Sequence, residues 1–347
     1  MIIENLKIKG FRNLINADIS FCNSRNLIHG RNGTGKTSIL EAIFLLAFGK
    51  SFLNRKKTEM VNINSDQFFI RLNSINPYGT NRVAAGYKNR LTLYLNEKKS
   101  NIFEINDYLY PVFFSSSDYN LYIENKPYTR KMIDRFVFGV DSLYIRYILR
   151  YNRALKQKKY LLKTSRNLSE LRSWNTIICE LSEKIVGIKM KFIEGLNVEI
   201  KNKFDTHLTV GYKPSLKIDK GISRGSFFEQ LETAAPTELK YQRSMIGPHL
   251  DGFDIQLHSK PLKIYSSGEK KIHLLMIYIS FIELFKKIKK EYPVFLVDDF
   301  DTAIDENNIG FLVENYPEMQ VIATSVHKNS GFDKSIELKK EMKETEN

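Results

Sequence analysis

An α/β fold built on a phosphate-binding loop, with an antiparallel β patch and a helical second lobe, is what the sequence predicts. Three observations predict it. Gly30-Arg31-Asn32-Gly33-Thr34-Gly35-Lys36-Thr37 fits G-x-x-x-x-G-K-[ST], the spelling of a loop that wraps nucleotide phosphates. Far along the chain, Val294-Phe295-Leu296-Val297-Asp298-Asp299 reads as a buried strand ending in two carboxylates. Between them, Asp134 to about Lys203 is long-period helical with almost no Gly or Pro.

The loop comes first because its chemistry is the most specific. Its glycines permit a tight turn with positive φ, so that backbone N–H groups face phosphate oxygens. Lys36 offers a point charge to the β- and γ-phosphates, and the Thr37 hydroxyl is a ligand for Mg²⁺. Asn26 to His29 predicts a short strand entering the loop. Thr37 to Phe48 predicts an apolar helix leaving it, whose N-terminus adds its dipole to the anion site. A Gly-rich surface turn is disfavoured by these two flanking elements. The chain is therefore expected to bind a nucleoside triphosphate.

Composition narrows the class. With 347 residues, 42% of them hydrophobic, there is ample material for one large or two ordinary domains. The longest nearly uninterrupted apolar stretch, Leu274 to Ile282, is far too short to cross a bilayer. The first residues carry Glu4, Lys7, Lys9 and Arg12 and no apolar signal segment. Cys22 and Cys179 lie far apart, outside any C-x-x-C spacing, and read as buried free thiols of a reducing cytosol. The net charge of +14 favours a polyanionic partner, nucleic acid before membrane.

Taken in order, Ile3, Leu6 and Ile8, then Ala17, Ile19 and Phe21, then Leu27 suggest three short strands feeding the loop. Gly49 is a natural C-cap for the helix. Lys50, Arg55, Lys56 and Lys57 follow it as either a solvated loop or a phosphate contact. Residues 67–96 read as three antiparallel strands separated by Asn, Gly and Lys turns, and Tyr110 to Phe114 as one more strand. In the helical stretch, Tyr144, Ile148, Tyr151, Leu155 and Leu162 share one face. Arg146, Arg150, Arg153 and Lys156 share the opposite one. Ile178, Leu181, Ile185, Ile188 and Phe192 mark a second helix. Two antiparallel helices packed as a stubby arm, too short for an extended coiled coil, are the simplest arrangement. A strand over 207–213 and a mobile linker over Asp219 to Ser226 lead out of the arm. Then Ser266-Ser267-Gly268 opens an apolar helix, Gln320 to Thr324 adds a strand, and only the last ten residues look disordered. The expected division is 1–114 for an N-terminal ATPase part, 115–240 for the helical lobe and 241–347 for a C-terminal ATPase part.

The two carboxylates complete a nucleotide site. On a Walker B strand, Asp298 holds the Mg²⁺ shell, and Asp299 orients or deprotonates an attacking water. Asp305 sits at a turn before a helix, as an ordinary N-cap or as part of the site. Ser266-Ser267-Gly268 is a second helix start able to bind an anion. It is loosely similar to the L-S-G-G-Q signature of ABC-type ATPases, which touches the γ-phosphate from a partner subunit. An ordinary capped helix is the plainer alternative.

With these residues in view, the chain resembles the RecF family, bacterial recombination-mediator ATPases of the SMC-like ABC group. The similarity runs nearly end to end. It is carried by Gly10-Phe11-Arg12-Asn13, by the segment GRNGTGKTSILEAIFLLAFGKS from Gly30 and by Phe113-Phe114-Ser115 with Asp118. Pro127 with Arg130, Lys131 and Asp134, Tyr151-Asn152-Arg153, Gly247-Pro248-His249, Ser266 to Lys271, and Asp298-Asp299 with Asp305-Glu306 continue it. The chain departs from the family pattern at Phe52-Leu53, Leu250, Lys270 and Asp301 to Ala303.

The resemblance implies an ABC-type P-loop ATPase head and a nucleotide held by Gly30 to Thr37 with Ser38 and Arg12. It implies Mg²⁺ on Thr37 and Asp298, and hydrolysis served by Asp298, Asp299, Asp305 and, across a dimer, Ser266 and Gly268. It further implies ATP-dependent binding of gapped or single-strand/double-strand junction DNA as a homodimer, with slow ATP turnover and RecO/RecR-type mediators as partners. Arg146, Arg150, Arg153, Lys156, Lys50 and Lys56 are the candidate DNA contacts. The rival is an ATPase subunit of another ABC or SMC-like complex, whether transporter, chromosome-organising or defence system.

Overall fold

The computed structural model describes residues 1–77, 79–115, 119–164, 168–218, 222, 224–303 and 316–339. In chain order the elements begin with β1 (Ile2–Phe11), β2 (Leu14–Ser20), β3 (Arg25–His29), α1 (Lys36–Phe48), β4 (Phe68–Asn76), β5 (Gly79–Tyr87), β6 (Leu91–Leu95) and β7 (Lys98–Ser100). They continue with α2 (Ile102–Asn106), β8 (Pro111–Ser115), α3 (Tyr119–Glu124), α4 (Lys126–Val140), α5 (Ser142–Thr164), α6 (Leu168–Phe204) and β9 (Leu208–Lys213). Then come α7 (Arg224–Tyr241), β10 (Gly252–Leu257), β11 (Lys260–Pro261), α8 (Ser267–Lys289), β12 (Val294–Asp298), β13 (Val321–Ser325) and β14 (Lys334–Glu337).

Contacts divide the chain into two compact units, Met1–Tyr119 with Phe285–Asn347, and Asn120–Leu284. The stretch 241–284, expected with the C-terminal ATPase part, belongs to the second unit. The reason is sheet pairing: β10 runs antiparallel to β9 along its whole length, from Gly252 opposite Lys213 to Leu257 opposite Leu208.

The first unit holds two sheets. One is parallel, ordered β14-β3-β13-β12-β8, and the other antiparallel, ordered β2-β1-β4-β5-β6-β7. Strands β8, β12 and β13 of the parallel sheet are buried along their whole length and are mostly apolar, as strands covered on both faces must be. The antiparallel strands alternate instead: Ile8, Ile70, Leu72, Val83 and Leu93 face the core while their neighbours face water. Helix α1 is buried on nearly every side, so it lacks an amphipathic stripe. It ends at Gly49, whose φ of 64° lets its N–H reach Leu45 O at 2.8 Å. Phe44 of α1 contacts Phe48, Phe52 and Phe113, and Phe52 stacks on Phe113 at 3.8 Å. Phe52, a departure from the family pattern, is thus a core residue rather than a surface contact.

The second unit is larger than the two-helix arm expected. Helix α5 packs on α6, and α7 packs on α6 as well. Leu162, Leu171 and Ala235 bury a small core between them, with Leu239 against it. Helix α6 is a single run of 37 residues, the longest among those described. Helix α7 is weakly patterned and carries Pro236 inside it, which hides it from a periodicity reading. Of the linker expected over Asp219 to Ser226, residues 224–226 form the first turn of α7, and 219–221 and 223 lie outside the described residues.

Candidate functional site

Strand β3 delivers the chain into the phosphate loop and α1 carries it away, as the local sequence demands. Gly30, Gly33 and Gly35 all have positive φ (148°, 82° and 107°). Two of them also lack room for a side chain. A Cβ on Gly30 would sit 2.5 Å from Leu338 O, and one on Gly35 would sit 2.6 Å from Leu14 Cδ2. The loop is braced from the turn between β1 and β2: Asn13 Nδ2 donates to Gly33 O (2.9 Å), and Ser38 Oγ donates to Asn13 Oδ1 (2.7 Å). Thr34 Oγ1 donates to Arg31 O (2.9 Å). Lys36 is buried and its Nζ donates to Gly30 O (2.7 Å) and Arg31 O (3.1 Å), so the loop's own carbonyls hold the ammonium inside the curve.

The second half of the site arrives from the far end of the chain. Strand β12 pairs in parallel with β13, which pairs in parallel with β3, and this register sets Asp298 beside Thr37. Thr37 Oγ1 donates to Asp298 Oδ1 at 3.1 Å across 261 residues of sequence, and Thr324 Oγ1 donates to the same oxygen at 2.6 Å. Asp298 is 6% exposed, and burial pushes its carboxyl above the usual carboxylate range, opposed by its bonds to Thr324 and Thr37. Asp299 follows in the left-handed region (φ 51°), its N–H donating to Thr324 Oγ1 at 3.0 Å. Loop, Thr37, Asp299 and Arg12 line one cavity of about 1310 Å³, ample for a nucleoside triphosphate.

Arg12, predicted among the nucleotide ligands, lines this cavity, but its guanidinium is engaged. Its Nη1 donates to Glu41 Oε2 (2.7 Å), and the fully buried Glu41 also accepts from Ser51 Oγ. Two further residues escape a sequence reading. Leu338 was expected in a disordered tail; instead its N–H donates to His29 O (2.8 Å), β14 pairs in parallel with β3, and Leu338 lines the cavity. His327 stands exposed two residues beyond β13. Asp305 and residues 340–347 lie outside the described residues.

Thr37 Oγ1 and Asp298 Oδ1 are hard oxygen donors held close together, the kind of pair that Mg²⁺ takes beside phosphates. These residues fit the ion. The geometry yields a prediction. Asp298→Asn keeps an acceptor for Thr37 and Thr324 but removes a buried negative charge. The ligand-free protein should melt at the same temperature or about 2 °C higher, while Mg²⁺ ceases to strengthen ATP binding. Calorimetry with and without MgCl₂, beside a thermal melt, reads both; a melt several degrees lower would make Asp298 a structural anchor instead.

In the second unit, Ser266 to Glu269 are all exposed. They build a reciprocal cap at the start of α8. Ser266 Oγ and N–H both donate to Glu269 Oε2 (2.6 and 3.0 Å), and Glu269 N–H returns to Ser266 Oγ (3.4 Å). The bonds from Ser266 hold the Glu269 carboxyl below its ordinary range. The capped-helix reading is therefore present in the structure. A Cβ on Gly268 would meet nothing within 4 Å, so the chain's own packing leaves this glycine open. Lys270 donates to Glu124 Oε1 at 2.9 Å.

Helix α5 exposes Arg146, Arg150, Arg153 and Lys156, as its periodicity predicts. Among the described residues, Arg150, Arg153 and Lys156 form no ion pair. Lys158, next along the helix, does not share that face: it is buried against Glu238, 2.6 Å away, and burial pushes its pKa down. Lys50 and Lys56 are exposed beyond α1, in the first unit. Beneath α5 three sequence motifs converge. Tyr151 Oη meets His249 Nδ1 at 2.6 Å, and Arg130 donates to His249 O (2.5 Å) and Asp251 O (2.8 Å). Buried Asp251 accepts from Lys189 Nζ (3.1 Å), Tyr212 Oη (2.6 Å) and Ser215 N (2.9 Å). Gly247 is needed here: its φ is 129° and a Cβ would sit 2.4 Å from Tyr151 Oη. This network fixes the floor on which the basic helix rests.

The chain matches the family model of the RecF/RecN/SMC N-terminal domain over residues 2–346. It is 31% identical to the DNA replication and repair protein RecF of Acetivibrio thermocellus, covering 94% of each chain. It is 28% identical to the protein of that name from Thermoanaerobacter sp., covering 94% of this chain and 95% of the other. Among solved structures it is similar to the recombination mediator protein RecF in the RecFOR pathway, as RecF-ATPrS. There the TM-score is 0.88 at 25% identity, over 97% of this chain and 96% of that one. With RecF-ATP the TM-score is 0.87 at 25% identity, over 95% and 93%. An SMC head bound to the C-winged helix domain of ScpA shares the fold, with a TM-score of 0.55 at 17% identity over 97% and 94%. The ABC-type head expected from the sequence is the fold of the chain. No described helix is long and apolar enough to cross a membrane.

Proposed function

Because the chain belongs to the RecF family of SMC-like ABC ATPases, we propose that it is an ATP-dependent DNA-binding protein of recombinational repair and replication-fork maintenance. In this reading Gly30 to Ser38 hold ATP, and Thr37 with Asp298 hold Mg²⁺. Two copies close on the nucleotide, the exposed Ser266-Gly268 helix start of each completing the phosphate site of the other. Asp299 serves slow hydrolysis and Asp305 lies close to it in sequence. Gapped or junction DNA lies on Arg146, Arg150, Arg153 and Lys156, with Lys50 and Lys56 as further contacts, and RecO/RecR-type mediators are the partners for recombinase loading. The observation that supports this most is the meeting of Thr37 and Asp298 at 3.1 Å, where Thr37 lines the same cavity as the phosphate loop and Asp299.

Gel filtration with ATP, with and without gapped DNA, tests it. ATP should convert the protein to a dimer, and gapped DNA should co-elute with that dimer alone. Ser266→Arg should bind ATP normally yet stay monomeric, since this serine would act only in trans; a normal ATP dimer from that variant would remove the signature role. Asp299→Asn should keep the dimer and slow its decay.

The DNA face makes a separate prediction. Reversing Arg146, Arg150 and Arg153 to Glu should weaken binding to every DNA sequence alike and leave ATP affinity unchanged. Each lost phosphate contact flattens the salt dependence of duplex binding by about 0.9 in log–log slope. Equal slopes for wild type and variant would move the DNA surface off α5.

A further inference from the structure

The antiparallel sheet of the first unit has an outward face that the nucleotide site does not use. Its registers lay residues out in rows. One row runs Lys9, Phe69, Gly86, Thr92, and the next Lys7, Arg71, Ala84, Tyr94, Lys99. Between Phe69 on one side and Tyr94 on the other, strand β5 thus carries only Gly86 and a buried Ala84, and Gly86 forms the open floor. With strands about 4.8 Å apart, this leaves a trough roughly two strand spacings wide. A concavity of about 630 Å³ lies there, lined by Phe69, Tyr94, Lys9 and Arg90. Phe69 is 41% exposed. Its ring edge lies over Gly86, where a Cβ would meet Cδ2 at 3.7 Å.

Charge decides what fits. Lys7 is paired with Asp18 at 2.7 Å. Lys9, Arg71, Arg90 and Lys99 form no ion pair among the described residues, so the trough is flanked by uncompensated cations. Flat aromatic rings beside open cations are what a single-stranded nucleic acid uses: its unpaired bases stack on the rings while its phosphates take the charges. A duplex hides its base faces and would use the cations alone. An acidic peptide would meet the cations but carries no series of flat bases to stack on the rings.

We propose that this face binds a single strand of DNA, with bases on Phe69 and Tyr94 and phosphates on Lys9, Arg71, Arg90 and Lys99. The inference rests on the reading of the chain as a DNA-binding protein and names the form of DNA this sheet takes.

Fluorescence anisotropy of the full chain with ATP, on labelled oligothymidylate and on a duplex of equal length, tests it. The variant Phe69→Ala with Tyr94→Ala should bind oligothymidylate about tenfold or more weakly and bind duplex and ATP as wild type does. Tyr94→Phe should keep single-strand affinity, because the ring remains. Lys9→Glu with Arg71→Glu should weaken single-strand binding and flatten its salt dependence. Unchanged single-strand affinity in the aromatic variant overturns the proposal, as does an equal loss on duplex. Displacement of oligothymidylate by polyglutamate as readily as by unlabelled oligothymidylate also overturns it. Failure of ATP to produce a dimer would count against the function proposed above, yet would leave single-strand binding at Phe69 and Tyr94 readable on its own.

Discussion

Glu238→Ala should destabilise the second unit by about 3–5 kcal/mol, the cost of stranding a buried charge. Lys158 and Glu238 are both 0% exposed and lie 2.6 Å apart, between α5 and α7. Removing the carboxylate leaves the Lys158 ammonium without its partner in a place water does not reach, where burial already pushes its pKa down. Lys158→Met with Glu238→Gln removes both charges, keeps the acceptor for Met245 N–H (2.8 Å) and Ser244 Oγ (3.2 Å), and should come within about 1 kcal/mol of wild type, since replacing both members of a buried pair is often neutral or better. Urea denaturation of the two variants separates the cases. A loss of under 1 kcal/mol in Glu238→Ala would mean that the ammonium finds water.

Acid should loosen the same unit through His249. Burial lowers its pKa from 6.5 to about 4, helped by the charges of Lys159, Arg130 and Lys158. Tyr151, whose phenol burial pushes strongly upward, keeps its proton and shares a hydrogen bond with Nδ1 of the neutral ring. The folded state therefore binds a proton less readily than the unfolded chain does. Stability is complete above about pH 6.5 and falls as pH drops toward about 4, by about 2–3 kcal/mol in all. Thermal melts between pH 4 and 8 should show this slope, and His249→Gln should remove it. An identical slope in that variant would assign the acid sensitivity to other groups.

The parts of the site most legible in the sequence are those where backbone geometry dictates residue type. Gly30 and Gly35 are spelled out because a Cβ would collide and φ is positive. The apolar run of β12 is spelled out because both faces of its sheet are covered. What escapes is tertiary. Nothing local to Arg12 announces that Glu41, 29 residues on, claims its guanidinium. Lys158 looks like its basic neighbours until α7, itself masked by Pro236, brings Glu238 against it. Strand β14 is short and half-polar, and gains its place only from the edge of β3. The Ser266 to Glu269 segment carries two meanings in one spelling, because a capping box and an anion-binding helix start need the same residue types.

The order of strands in the parallel sheet has a consequence for how the protein is made. Strand β12 lies between β8 and β13, and β3 lies between β13 and β14, so strands from the first third of the chain wait for partners from its last fifth. On the ribosome, residues 120–284 are synthesised before β12 exists. At about 5–20 residues per second, the roughly 180 residues from β8 to β12 take about 10–40 s to synthesise. During that time the apolar edges of β3 and β8 are unpaired, and the phosphate loop cannot meet Asp298. The antiparallel sheet and the helical unit, whose strands and helices are joined within themselves, can form in that interval. Released chains truncated before Val294 should therefore be protease-resistant over 120–284 while binding no ATP.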